Sequence, residues 1–99
     1  MLKSHFSTMA AYNTWANARL YQAALALDEE AYRRDVGAFF KSLHGTLNHL
    51  LVVDQGWMSR LEGGPGLQVS LDTIIHDSRR DLALARVEQD RALMRYMEG

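Results

Sequence analysis

The sequence predicts an all-α protein: one domain over residues 1–99, built as an antiparallel bundle of three long helices. Three observations predict it. Apolar residues recur three and four positions apart through most of the chain, the period of one helix face. No stretch reads convincingly as a strand. The single proline, Pro65, lies inside Gly63-Gly64-Pro65-Gly66, and that turn is the sharpest break in the helical pattern.

The first helix is predicted from about Ser4 to Leu27. Phe6, Met9, Asn13, Ala16, Leu20, Ala23 and Leu27 form a heptad-like seam with one polar member, Asn13, as a residue fixing helix registry would be. Asp28-Glu29-Glu30 ends the pattern, and residues 28–36 read as a connector with a helical turn of its own. The second helix is predicted from Gly37 or Ala38 to about Glu62, with Phe40, Leu43, Leu47, Leu50, Asp54, Trp57 and Leu61 as its seam. The third is predicted to start after Ser70, an N-cap residue, with Asp72 in the first turn at the positive end of the helix dipole. Its weaker seam is Leu71, Ile75, Ser78, Leu82, Ala85, Gln89, Ala92 and Tyr96. Arg86 with Asp90, and Glu88 with Arg91, are spaced to pair on its solvated side. Gly99 is a residue type that follows helix ends.

Three helices with short connectors point to antiparallel neighbours. Leu51, Val52 and Met58 lie off the seam of the second helix and call for partners. The expectation is a fourth helix from outside this chain or, as the preferred partner, a second copy in a homodimer.

Composition narrows the function classes. With 47% hydrophobic and 23% charged residues the chain is globular, not disordered. A net charge of −1, with both signs interspersed, provides no footprint for nucleic acid or an anionic membrane. Cysteine is absent, which removes disulfides, thiolate nucleophiles and cysteine-based zinc sites, and fits a cytoplasmic protein. The polar N-terminal region lacks a signal-peptide core, and the longest apolar runs are too short to span a bilayer.

The most informative segment runs from His44 to Trp57. His49 lies off the apolar stripe, on an arc with Ser42, Thr46 and Val53 that suits the lining of an inter-helix cleft. His44 and His49 are five residues apart and diverge by about 140° on a regular helix, so they do not chelate one ion together. His5 and His76 fall near helix starts. By spacing alone, each histidine reads as a surface or satisfied polar residue sooner than as a ligand. Asp54 lies on the seam, where a carboxylate needs a partner. It reads either as a structural anchor, accepting from a tryptophan N–H or from Asn13, or as a group ligating a metal or orienting a ligating histidine. Asn13, Trp15 and Asn17 read as a registry cluster or as a pocket wall. No catalytic triad or phosphate loop can be argued.

Two segments together carry a resemblance: Tyr12-Asn13-x-Trp15-Ala16-Asn17-x-Arg19-Leu20, and His44-Gly45-Thr46-Leu47-Asn48-His49-Leu50-Leu51-Val52-x-Asp54-x-x-Trp57. They resemble the DinB family of damage-inducible helical-bundle proteins. Leu71-Asp72 and Arg86-x-x-x-Asp90 match more loosely. The resemblance implies a four-helix bundle, usually dimeric. It also implies a divalent metal (zinc, nickel or iron) held by three histidines, suited to metal-assisted thiol transfer or hydrolysis. Its first ligand maps onto His49. The other two belong to a histidine-rich fourth helix, for which this chain has no counterpart. On that pattern the chain is a truncated domain with an incomplete site, metal binding is weak or absent, and competent catalysis by this chain alone is not expected. The other reading is a non-catalytic dimerisation or interaction module that keeps the scaffold without the metal.

Overall fold

The computed structural model describes Leu2–Gly99 as four helices: α1 (Leu2–Ala26), α2 (Glu29–Arg33), α3 (Leu43–Leu61) and α4 (Arg79–Glu98). The all-α expectation holds, with three long helices and a short one inside the predicted connector. Asp28 caps α2 by accepting a hydrogen bond from the Ala31 N–H at 2.7 Å. No helix among the described residues is long and apolar enough to cross a membrane.

Two helix starts lie later than the periodicity indicates. Gly37 and Lys41 have φ of 77° and 71°, left-handed values that no helix continues through. Ala38 and Lys41 close a tight turn between them, with Lys41 N–H donating to the Ala38 carbonyl at 2.9 Å. Helix α3 therefore begins at Leu43, capped by Ser42, whose Oγ accepts from the Gly45 N–H at 3.0 Å. Likewise α4 begins at Arg79, capped by Ser78 through the Asp81 N–H at 3.2 Å. Ser70 is instead spent in a local turn, bonded to Asp72 at 2.9 Å and Thr73 at 3.0 Å. Leu71, Asp72 and Ile75 thus lie outside any helix, and Asp81 takes the first-turn role expected of Asp72.

The connector over residues 62–78 changes the topology. Contacts between α1 and α4 join Ser7 to Met97, Asn17 to Asp90, and Ala24 to Arg79, so that pair runs in opposite senses. Contacts between α3 and α4 join Asp54 to Arg86 and Leu61 to Tyr96, so these two run the same way. A short loop would have forced them antiparallel, as the sequence reading expects. A long crossover does not.

The core is concentrated at one end. Tyr21 and Ala24 of α1, Tyr32 of α2, Leu47 and Leu51 of α3, and Leu82 of α4 make one buried cluster. Leu51, Val52 and Met58 are buried within the chain itself, so the expectation that they need an outside partner is corrected. The predicted seams turn inward only in part: Leu43, Leu47, Leu82 and Ala85 are in or against the core, and much of the rest faces outward. Trp57 is 63% exposed, and Leu50 and Leu61 beside it are also open, as are Phe6, Met9, Leu20 and Leu27 on α1. The inward stripe of α3 is His44, Leu47, Asn48, Leu51, Val52 and Met58, helically spaced but with two polar members.

Two glycines allow close approaches. A Cβ on Gly56 would meet the Cβ of Leu67 at 3.2 Å, where the crossover packs against α3. A Cβ on Gly45 would collide with the backbone carbonyl of Phe40, which cannot swing aside as a side chain could. Gly45→Ala is therefore expected to destabilise the fold by about 1–3 kcal/mol despite alanine's better helix propensity. Urea unfolding measures it; an unchanged or raised midpoint would show that the turn over residues 38–41 yields freely.

Candidate functional site

Helix α3 presents its two histidines to different surroundings. The ring of His49 stacks on Phe40, centroids 3.8 Å apart and planes 17° from parallel. Its Nδ1 lies 3.0 Å from the carbonyl oxygen of Leu71. A carbonyl can only accept, so Nδ1 carries a proton, and in the neutral ring Nε2 keeps its lone pair. Nε2 has no hydrogen-bond partner among the described residues. His49 is thus held between two connecting segments, not in the inter-helix cleft that its arc suggests. Ser42 and Thr46 do not line a cleft either: Ser42 caps the helix and Thr46 Oγ1 donates to the Ser42 carbonyl. Val53 borders a shallow groove with Trp57, Leu67 and Leu71.

His44 faces inward. The Tyr32 hydroxyl lies 2.6 Å from its Nδ1, and the Asn48 amide donates to the His44 carbonyl at 3.0 Å. Burial raises the Tyr32 phenol pKa, so Tyr32 stays a neutral hydroxyl beside the His44 ring, whose Nε2 lies 3.4 Å from the Asn48 amide nitrogen. Burial, followed by the nearby Arg33 charge, pushes the His44 pKa below 6.5. Asn48 also ties α3 to the crossover, accepting from the His76 N–H at 3.1 Å and donating to the His76 carbonyl at 3.3 Å. His5 is exposed beside Phe6 on α1. The four histidines do not converge, and no group of three or more His, Asp or Glu among the described residues is placed to hold a metal. The residues present fit one imidazole ligand and not a three-histidine set.

The strongest polar constellation lies elsewhere. Arg86 and Asp90 of α4 are each only 3% exposed and pair through Arg86 Nε at 3.1 Å and Nη2 at 2.8 Å. Their pairing follows from the sequence, but its location on the solvated side is corrected: they face α1 and α3. Nη2 of Arg86 also reaches Asp54 at 2.6 Å. Asp54 is therefore paired, yet its side chain stays 40% exposed, and its partner is neither a tryptophan nor Asn13. Asn13 and Asn17 donate to Asp90, each at 3.2 Å, while Trp15 points away and carries Arg19 over its ring. The cluster of Asn13, Trp15 and Asn17 is thus split between two faces. Burial raises the Asp90 pKa above 3.8, against the opposing pull of Arg86 and Asn17. Burial likewise pushes the Tyr21 phenol up to about 12. Sequence reasoning passed over Tyr21, Tyr32 and Asn48; the i, i+4 spacing of His44 and Asn48 was the available signal.

A sequence model described as the DinB family matches residues 1–95. Protein DinB of Bacillus subtilis (strain 168) is 31% identical over 52 residues, a stretch covering 52% of this chain and 30% of that protein. The chain therefore matches less than a third of that relative's length. No solved structure matches.

Two outcomes follow from this geometry. Arg86→Ala leaves Asp90 buried and without its cation, and is expected to destabilise the protein by about 3–5 kcal/mol. Asp54→Ala leaves Arg86 still paired with Asp90 and is expected to lose only about 1 kcal/mol. Equal losses in denaturant midpoints would contradict this ranking. For His44, the folded pKa lies below the unfolded value, so the folded state prefers the neutral ring. Its contribution is complete above about pH 6.5 and is lost as pH falls through the folded pKa. Stability should decline below that pH in the wild type and decline less in His44→Gln. Parallel pH profiles for the two would remove His44 as the cause.

Proposed function

This chain belongs to the DinB family, and on that footing we propose that it is a divalent-metal-binding helical module whose own contribution to the metal is one imidazole, Nε2 of His49. One observation carries the reading. The hydrogen bond from His49 Nδ1 to the Leu71 carbonyl fixes the tautomer that leaves Nε2 available, as ligating histidines are oriented in metal sites. The stack on Phe40 supports it by holding the ring in place. Zinc, nickel or iron-type ions suit an imidazole donor. With one such donor, binding is weak and the remaining ligands are water or groups of a second copy. A complete site of this class would polarise a substrate or activate a thiol or water. No catalytic step is assigned to the residues of this chain.

The proposal includes a homodimer with a four-helix, DinB-type arrangement. The outward apolar residues Phe6, Met9 and Leu20 of α1, and Leu50, Trp57 and Leu61 of α3, support it, because that much exposed apolar surface favours association. The second reading is a non-catalytic interaction module. It is favoured by the same pair of His49 contacts taken structurally, since they clip residues 37–42 and the crossover onto α3.

Titration with zinc or nickel, followed together with light scattering, separates the two. Wild type should bind weakly as a dimer, and His49→Ala should lose about tenfold or more in affinity. Equal affinity in both proteins, with lower thermal stability in His49→Ala, supports the interaction module instead. Tight one-to-one binding by a monomer would overturn both the incomplete site and the dimer.

A further inference from the structure

Where the crossover lies against α3 there is an open groove of about 430 Å³, lined by Val53, Gly56, Trp57 and Arg60 of the helix and by Leu67 and Leu71 of the crossover. Its volume falls in the range of small-molecule sites, about 300–1,000 Å³. The floor forms where Gly56 lets Leu67 approach the helix. Trp57, Leu67 and Leu71 are exposed there, and Val53 is half-buried. The body of a ligand seated in the groove therefore meets hydrocarbon and indole. A concave apolar site with a polar group at a fixed place is the form that sets a ligand's orientation.

That polar group is Arg60, the one charged residue of the lining. Arg33, Arg34, Arg79, Arg86 and Arg91 each pair with a carboxylate. Among the described residues Arg60 pairs with none. It is nevertheless held in place, because its side chain lies flat against Gly66: a Cβ there would stand 2.7 Å from Nε and 3.3 Å from Cζ. The negative groups nearby are engaged or turned aside. Asp54 lies in the recess on the other side of Trp57, between α3 and α4, where Arg86 binds it. Glu62 sits about 160° around the helix from Arg60. At the negative end of the α3 dipole, the carbonyls of Ser59 and Arg60 accept from the N–H groups of Gly64 at 2.7 Å and Gly63 at 3.0 Å. A guanidinium so placed offers a planar fork that matches a carboxylate through two parallel hydrogen bonds. One cation balances one negative charge, and a dianion would face the helix C-terminus with its second charge uncompensated.

We propose that this groove binds a small amphipathic monocarboxylate, with its carboxylate on the fork of Arg60 and its aryl or alkyl body along Trp57, Leu67 and Leu71. Val53 and Arg60 are seven residues apart, about 10 Å along the helix axis, which is the span of a phenyl ring on a short carbon chain. His49 does not line the groove, and the proposal does not depend on a metal. The outward stripe of Leu50, Trp57 and Leu61 meets the groove only at Trp57.

The test uses three probes at pH 7 in metal-free buffer: 4-phenylbutanoate, its neutral amide 4-phenylbutanamide, and butanoate. Titrations are followed by amide NMR shifts on the intact chain. The aryl acid should saturate at one site, with shifts centred on residues 53–60 and 66–71. The amide lacks the charge that Arg60 takes and should bind about tenfold more weakly. Butanoate, which has no aromatic body, should not saturate. Arg60→Gln should bring the acid down to the affinity of the amide and leave the amide unchanged. Trp57→Ala should weaken acid and amide alike. Both positions are exposed, so circular dichroism should show the fold retained in each variant. In the wild type itself, added salt should weaken the acid and spare the amide. Absence of saturable binding by the aryl acid, equal binding of its amide or of butanoate, or indifference to Arg60→Gln or Trp57→Ala would each overturn the proposal. So would a loss of binding as the protein is concentrated into its self-associated range, which would mean that a second copy fills the groove.

Discussion

The guanidinium of Arg86 is the interaction on which the rest of this bundle depends. It binds Asp90 on its own helix and Asp54 on α3, and Asp90 in turn receives the amides of Asn13 and Asn17 on α1. One cation therefore fastens three helices. Removing such a network from water is expensive, and an apolar replacement of equal volume is often as stable or more so. What an apolar contact would not supply is direction. Bonds made at defined positions on α1, α3 and α4 fix both the opposed sense of α1 and α4 and the shared sense of α3 and α4. Leucines sliding over one another would leave several registers close in energy.

The network also divides the molecule. On one side lies the apolar cluster of Tyr21, Ala24, Tyr32, Leu47, Leu51 and Leu82, where α2 closes over the starts of α3 and α4. Arg79 reinforces that end by donating to the carbonyls of Ala24, in the last turn of α1, and Leu27, just past it. On the other side, the N-terminal part of α1 and the later turns of α3 carry the exposed apolar residues. Packing is thus uneven along the helix axes, although exposed apolar residues such as Leu25, Leu27 and Phe39 also lie near the core end.

Fold class was legible from sequence because the three-four spacing of apolar residues survives any rotation of the helix that carries it. Which face turns inward was not. The seam through Phe40, Leu43, Leu47, Leu50, Asp54, Trp57 and Leu61 is the more apolar choice, yet only Leu43 and Leu47 of it reach the core, and the buried stripe turns from Leu47 to His44, Asn48 and Leu51. His44 and Asn48 can be buried because Tyr32, His76 and their own helix satisfy them, and those partners lie far away in sequence. The same failure put Arg86 and Asp90 on the solvated side: the i, i+4 spacing was read correctly, but the partners Asp54, Asn13 and Asn17 sit on other helices. Helix starts failed for a local reason. Ser42, Ser70 and Ser78 are all competent caps, and choosing among them requires knowing that Lys41 is left-handed and that Ser70 is engaged with Asp72 and Thr73. Of the candidate site, His49 was legible only through the motif that encloses it.

His49 and the Arg86 network differ in what holds them, and this bears on how each could change. His49 is oriented by Phe40 and Leu71, both in connecting segments outside the helices, so its geometry follows the turn over residues 38–41 and the crossover. Connectors of this kind tolerate rearrangement more readily than packed helices do. A ligand set completed by a second copy would therefore have to bring its donors to a residue oriented by connectors, and the Leu71 bond would be the part most exposed to loss. The Arg86 network is instead held between packed helices, and its bonds also set the helix register. Altering surface positions such as Ala18 or Val87 leaves that network intact, whereas altering Asp90 disturbs the fold. The imidazole at position 49 has no such protected part, because the contacts that orient it are the contacts that connect the helices.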